Sequence, residues 1–168
     1  GCVLLDARDP NDYAREHLGG STNIGLGGRY AHWCGELFRP DQPLVLVAEP
    51  GTEREAALRL GRIGFDRVVG FLEGGAQHFA GRRELTRSHA RIDAAELRRR
   101  LASPTPPLVV DVRAVSEWNA GHIEGSRNEP LSKLRELAAG LPRDRELVLQ
   151  CQGGYRSSIA ASLLEQLG

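Results

Sequence analysis

One short stretch of this chain carries chemistry in its own order of residues. The run Leu147-Val148-Leu149-Gln150 is apolar and short, and it leads into Cys151-Gln152-Gly153-Gly154-Tyr155-Arg156-Ser157, after which a helical pattern begins. A Cys at the tip of a buried strand is presented to a cleft. Two adjacent glycines let the backbone curl so that N–H groups converge on one point. The following helix aims its positive end there too. Such a loop is an anion cradle with a sulfur at its centre, and the same field favours thiolate over thiol. Arg156 adds planar guanidinium donors. The chemistry this predicts is nucleophilic, with Cys151 as nucleophile and Gln152, Gly153, Gly154, Tyr155, Arg156 and Ser157 as the anion- and substrate-binding loop. Ser157 reads equally as a helix N-cap or as a substrate contact, and Gln152 and Tyr155 as the walls of the pocket mouth.

The elements that must position this loop occur twice. Leu5-Asp6-Ala7-Arg8 matches Val110-Asp111-Val112-Arg113, and His17-Leu18-Gly19-Gly20-Ser21-Thr22-Asn23 matches His122-Ile123-Glu124-Gly125-Ser126-Arg127-Asn128, both at an offset of 105 residues. Leu44 to Ala48 matches Leu147 to Cys151 at an offset of 103. A shared order and spacing over such a span marks a duplicated module. Strands are predicted at Cys2 to Leu5, Leu44 to Val47, Val68 to Leu72, Leu108 to Val112 and Leu147 to Gln150. Helices are predicted at Asp9 to Glu16, Arg54 to Ile63, Ala94 to Leu101 (with Asp93 as N-cap), Val115 to Ala120, Leu131 to Leu141 and Ser158 to Leu167. Alternation of strand and helix predicts an α/β fold whose sheets are mostly parallel and flanked by helices, with ligands at the carboxyl ends of the strands. We place the modules at residues 1–85 and 86–168, joined near the polar stretch 81–90. Each lacks an element the other has. Copy two opens with the Ile92 to Leu101 helix, and copy one closes with the Val68 to Leu72 strand, so both read as incomplete at the chain ends.

Composition narrows the function classes. Lys+Arg and Asp+Glu are 22 each, for a formal net charge of +0, and 21 of the basic residues are Arg. That balance gives no basic footprint for nucleic acid. Hydrophobic residues at 40% put the chain outside the disordered class. No apolar run is long enough to span a membrane. Three Cys are too few for a disulfide scaffold and favour a reducing, cytoplasmic setting. With no Met in the chain, Gly1 is not a translation start, and the sequence reads as a piece of a longer protein.

Asp111-Val112-Arg113, Glu117-Trp118, the Gly121 to Asn128 stretch and the Cys151 loop together resemble the rhodanese family, and the first copy resembles it over nearly its full length. The spacing from Cys151 to Arg156 is Cys-x4-Arg, whereas cysteine phosphatases of similar fold use Cys-x5-Arg with a larger cradle. The resemblance implies a sulfurtransferase. Cys151 would take a sulfane sulfur from thiosulfate or a persulfide, hold it as a covalent persulfide with no metal or organic cofactor, and pass it to a thiol or cyanide. In copy one Ala48 stands at the Cys position, followed by Glu49 and Pro50. Ala has no nucleophile and Pro lacks an N–H, so copy one reads as inactive. The aromatic segment Gly27 to Gly35 resembles the rhodanese pair of bacterial proteins fused to an N-terminal metallo-β-lactamase-fold domain, some similar to persulfide dioxygenases. That likeness implies an alternative: a sulfur-carrier or binding module serving a fused enzyme, with little turnover of its own. A third reading, phosphatase or arsenate reductase, is opposed by the loop length.

Residues present in both copies read as scaffold. Asp6, Arg8, Asp111 and Arg113 tie strand ends to loops, and His17 and His122 are structural histidines, because the copy without a nucleophile keeps them. Cys2 and Cys34 have no partner at metal spacing, and His32 with Cys34 lacks further ligands. Arg82-Arg83 and Arg98-Arg99-Arg100 read as solvated charge.

Overall fold

Short β-rich apolar runs, each bounded by polar turns, form the central strands of the computed structural model, which describes residues 1–168. The chain divides into two units, Gly1–His89 and Ala90–Gly168. The division falls a little beyond the boundary read from the sequence. The reason is local: Thr86 and Arg87 pair with Leu18 and His17, which holds the segment to the first unit.

In the first unit the order is β1 (Val3–Asp6), α1 (Pro10–Arg15), β2 (His17–Leu18), β3 (Thr22–Asn23), α2 (Tyr30–Leu37), β4 (Leu44–Val47), α3 (Glu53–Gly61), β5 (Val68–Phe71), a 3₁₀ turn (Gly75–His78) and β6 (Thr86–Arg87). The main sheet runs β3-β1-β4-β5 with every pairing parallel. β2 and β6 form a separate antiparallel pair. Its core gathers Tyr13, Tyr30, Leu44, Leu46, Leu60 and Phe65. The aromatic stretch expected as an insert folds as α2, and Tyr30, Trp33 and Cys34 are its buried side chains. Burial pushes the Cys34 thiol up to about 12, so it is an inert apolar residue at neutral pH.

The second unit repeats the plan: α4 (Ala94–Leu101), β7 (Leu108–Asp111), α5 (Val115–Ala120), β8 (Arg127–Asn128), α6 (Leu134–Leu137) between two 3₁₀ turns, β9 (Leu147–Gln150) and α7 (Tyr155–Leu167). Its sheet is β8-β7-β9, all parallel. Leu131, Leu134, Ile159 and Leu163 are its fully buried large side chains. The single helix expected over Leu131 to Leu141 is instead one α-helical turn flanked by 3₁₀ turns, Leu131–Lys133 and Ala138–Gly140. Pro130 opens the segment and Gly140 closes it, and only a four-residue α-helical piece fits between the 3₁₀ turns.

The repeated motifs do identical structural work in the two units. Arg8 binds both Asp6 carboxylate oxygens and donates to the Glu16 carbonyl; Arg113 binds both Asp111 oxygens and donates to the Gly121 carbonyl. The Asn23 amide donates to the carbonyls of Asp6 and Arg8, as Asn128 does to those of Asp111 and Arg113. His17 stacks on Tyr13 at 3.8 Å between ring centroids, and His122 on Trp118 at 3.6 Å. Each His Nδ1 bonds the carbonyl four residues back. No helix is long and apolar enough to cross a membrane.

Candidate active site

β7 and β9 pair in register from Leu108–Leu147 to Asp111–Gln150, so β9 ends level with the Asp111 corner and delivers Cys151 to the carboxyl edge of the sheet. Beyond it the chain turns through Gly154, whose φ of +83° is a conformation natural only to glycine, and enters α7 at Tyr155. The helix begins three residues earlier than the sequence pattern suggests, and Ser157 is not its N-cap. Gly154 is, and no side chain caps it.

The sulfur takes the place of a capping side chain. The N–H of Gly154 donates to Cys151 Sγ at 3.1 Å and the N–H of Ser157 at 3.4 Å. Ser157 Oγ lies 3.6 Å from the same atom. Burial alone would raise the thiol pKa. The Ser157 hydroxyl and the N–H groups of Ser157, Gly153 and Gly154 outweigh it and bring Cys151 below the ordinary thiol value. Sequence rules look for Ser, Thr, Asp or Asn at a helix start, so a cysteine four residues before the first helical residue gives them no signal.

The other candidate residues fall around this centre. Gln152 and Gly153 are exposed at the loop tip, and Tyr155, Arg156 and Ser157 are half-buried on the first turn of α7. Arg156, expected to offer its charge to an anion, has both terminal nitrogens engaged by the Glu117 carboxylate, at 2.6 and 2.8 Å. Glu117 also accepts the Ala114 N–H at 3.2 Å. The Arg156 hydrogen bonds, with the Ala114 N–H and the nearby Arg113, hold the Glu117 carboxyl at about 2. Glu117 is the partner of the loop arginine that residue-by-residue reading missed. Its partner lies 39 positions away, and only parallel packing of the two β–α corners brings them together. The position equivalent to Glu117 in the first copy is Asp12, which pairs with Arg15 on its own helix.

The loop after β4 has the same place in the first unit and different contents. Ala48 is buried at the strand tip. The Gly51 N–H donates to the Glu53 carboxylate at 2.8 Å, and the N–H and hydroxyl of Thr52 both go to the Glu49 carbonyl. The loop consumes its own donors, and none converges on residue 48.

Comparison with known proteins agrees with this duplication. The Rhodanese-like domain family matches twice, over residues 1–82 and 93–168. The chain is 40% identical over 60 residues to the uncharacterized protein YqhL of Bacillus subtilis, covering 36% of this chain and 48% of that protein. It is 34% identical over 77 residues to a sulfurtransferase of Allochromatium vinosum, covering 46% of this chain and 72% of that one. The chain thus spans about half the length of YqhL and most of the shorter sulfurtransferase. Among solved structures, the rhodanese-like domain of the Anabaena Alr3790 protein superposes with a TM-score of 0.50 at 17% identity, over 56% of this chain and 99% of that one. That likeness concerns the fold.

Proposed function

The chain belongs to the rhodanese-like domain family, and on that premise we propose that its second unit transfers sulfane sulfur through a persulfide on Cys151. The observation that carries the proposal is the convergence of the Gly154 and Ser157 N–H groups on Cys151 Sγ. These donors stabilise a thiolate before reaction and a terminal persulfide anion after it. With thiosulfate as donor, the thiolate attacks the sulfane sulfur. A new S–S bond forms to Sγ, the bond to the sulfonate sulfur breaks, and sulfite leaves with the electron pair. Cyanide then attacks the terminal sulfur and departs as thiocyanate, or a thiol departs as its persulfide, returning the Cys151 thiolate. No proton need be moved in the cyanide cycle, so the loop performs covalent catalysis without a general base. In this proposal the first unit has no turnover, because Ala48 offers no nucleophile.

Intact mass after incubation with thiosulfate tests this in the wild type and in Cys151→Ala. We expect one added sulfur atom in the wild type alone, removed by cyanide. A folded wild type with a titratable Cys151 and no adduct from thiosulfate or glutathione persulfide would overturn it. The exposed loop tip at Gln152 and Gly153 also suits a carrier that hands sulfur to a fused partner enzyme, such as one of metallo-β-lactamase fold. Stoichiometric loading without steady-state turnover would favour that second reading.

A further inference from the structure

Both arginines that flank the Cys151 loop from neighbouring corners are neutralised. Arg113 is held by Asp111 and Arg156 by Glu117. A third arginine reaches the loop from a different element. A Cβ built on Gly154 would lie 2.3 Å from Nη2 and 3.4 Å from Cζ of Arg91, so this guanidinium rests against the residue whose N–H donates to Cys151 Sγ. Arg91 is exposed and forms no ion pair.

The fold explains why it is there. Arg91 precedes α4, which is capped by the Asp93 side chain accepting the Glu96 N–H. The far end of α4 is fastened near the start of β9, through Arg100 to Glu146. Eight helical residues at 1.5 Å each span about 12 Å, and four strand residues at 3.3 Å each about 13 Å. A helix fastened at the start of β9 and antiparallel to it therefore ends level with the Cys151 tip. The sequence gives no sign of this, because sixty residues separate Arg91 from Cys151.

We propose that Arg91 is the substrate-recognition cation of the site, which selects sulfur donors bearing a sulfonate or carboxylate and draws that anion to Cys151. This rests on Cys151 being the reactive sulfur of the second unit. The backbone at residue 154, with φ of +83°, favours glycine, and a side chain there would also push the guanidinium aside.

The test compares two electrophiles of like shape and different charge on the full chain, with Cys151 followed by peptide mass so that the exposed Cys2 does not interfere. In the wild type, iodoacetate should be favoured relative to iodoacetamide, and the preference should fade with added salt. Arg91→Ala should lower the iodoacetate-to-iodoacetamide rate ratio about fivefold to tenfold, the scale of one lost charge-assisted hydrogen bond, and Arg91→Lys should restore part of it. The iodoacetamide rate itself should stay within about twofold. With thiosulfate, KM should rise by a similar factor while kcat changes little. An unchanged rate ratio overturns the inference, as does an equal fall in both rates, which would mean that Arg91 shapes the loop rather than recruiting the anion. If thiosulfate gives no adduct in the wild type and the alkylation ratio still responds, sulfur transfer fails and anion recruitment by Arg91 stands.

Discussion

Cys151 Sγ is surrounded by N–H groups and a hydroxyl, which hold its thiol below the ordinary value. Removing the hydroxyl isolates its share. Ser157→Ala keeps both N–H donors to Sγ and loses the group that does most to lower the thiol pKa. The midpoint of the pH profile for Cys151 alkylation should lie below the ordinary thiol value in the wild type and move upward in Ser157→Ala, because the thiolate loses one hydrogen-bonding group. The direction is fixed by the physics: fewer donors favour the protonated form, so more alkali is needed for the same thiolate. A midpoint that stays in place would mean that the backbone alone sets the thiolate. The strand-tip cysteine and the loop whose N–H groups reach its sulfur were legible in the sequence because one glycine-rich segment holds them all. Glu117 and Arg91 were not, because each reaches the site through packing between elements far apart in the chain.

At the scale of elements, the Glu117–Arg156 pair joins the start of α5 to the start of α7, next to the Cys151 loop. Glu117 titrates at about 2 when folded, against 4.5 for an unperturbed Glu. A carboxyl whose pKa is lowered by folding contributes stability above its unfolded pKa and loses it as pH falls toward the folded one. Stability should therefore drop between about pH 4.5 and 2 in the wild type, and less steeply in Glu117→Gln. The pair is partly exposed, at 21% for Arg156 and 34% for Glu117, so the neutral-pH cost of the substitution should be about 0.5–1 kcal/mol. Urea titrations at pH 7 and pH 3.5 measure both effects. Several patterned elements were readable: β4, α4, α5 and β9 fall where their residues suggest, whereas the longest helix, α7, starts three residues earlier than expected. The two-residue strands β2, β3, β6 and β8 were not, because two residues show no period. α2 escaped for another reason. It is buried through aromatic side chains and its Arg29 N-cap makes no side-chain capping bond, so it carries no start signal.

At the scale of the whole molecule, duplication separates scaffold from chemistry. The Asp–Arg corner, the Asn that bridges its carbonyls and the stacked His recur in both units, whereas the donors aimed at a sulfur occur in one. A nucleophile alone should therefore not revive the first unit. Ala48→Cys, made in a Cys151→Ala background, should fold and acquire no sulfur from thiosulfate by intact mass. A cyanide-labile adduct at residue 48 would show that the first loop can rearrange into a cradle.

The bond from Gly51 N–H to the Glu53 carboxylate gives this prediction a sharper form. Glu53 is a tethered ligand two residues from the donor it occupies, and tethering on so short a chain sets an effective concentration of about millimolar or higher. Any free anion approaching the first loop meets an internal competitor already in place. The first loop thus carries its own anion at Gly51, and a change at residue 53 would free that one donor while both Thr52 donors stay on the Glu49 carbonyl.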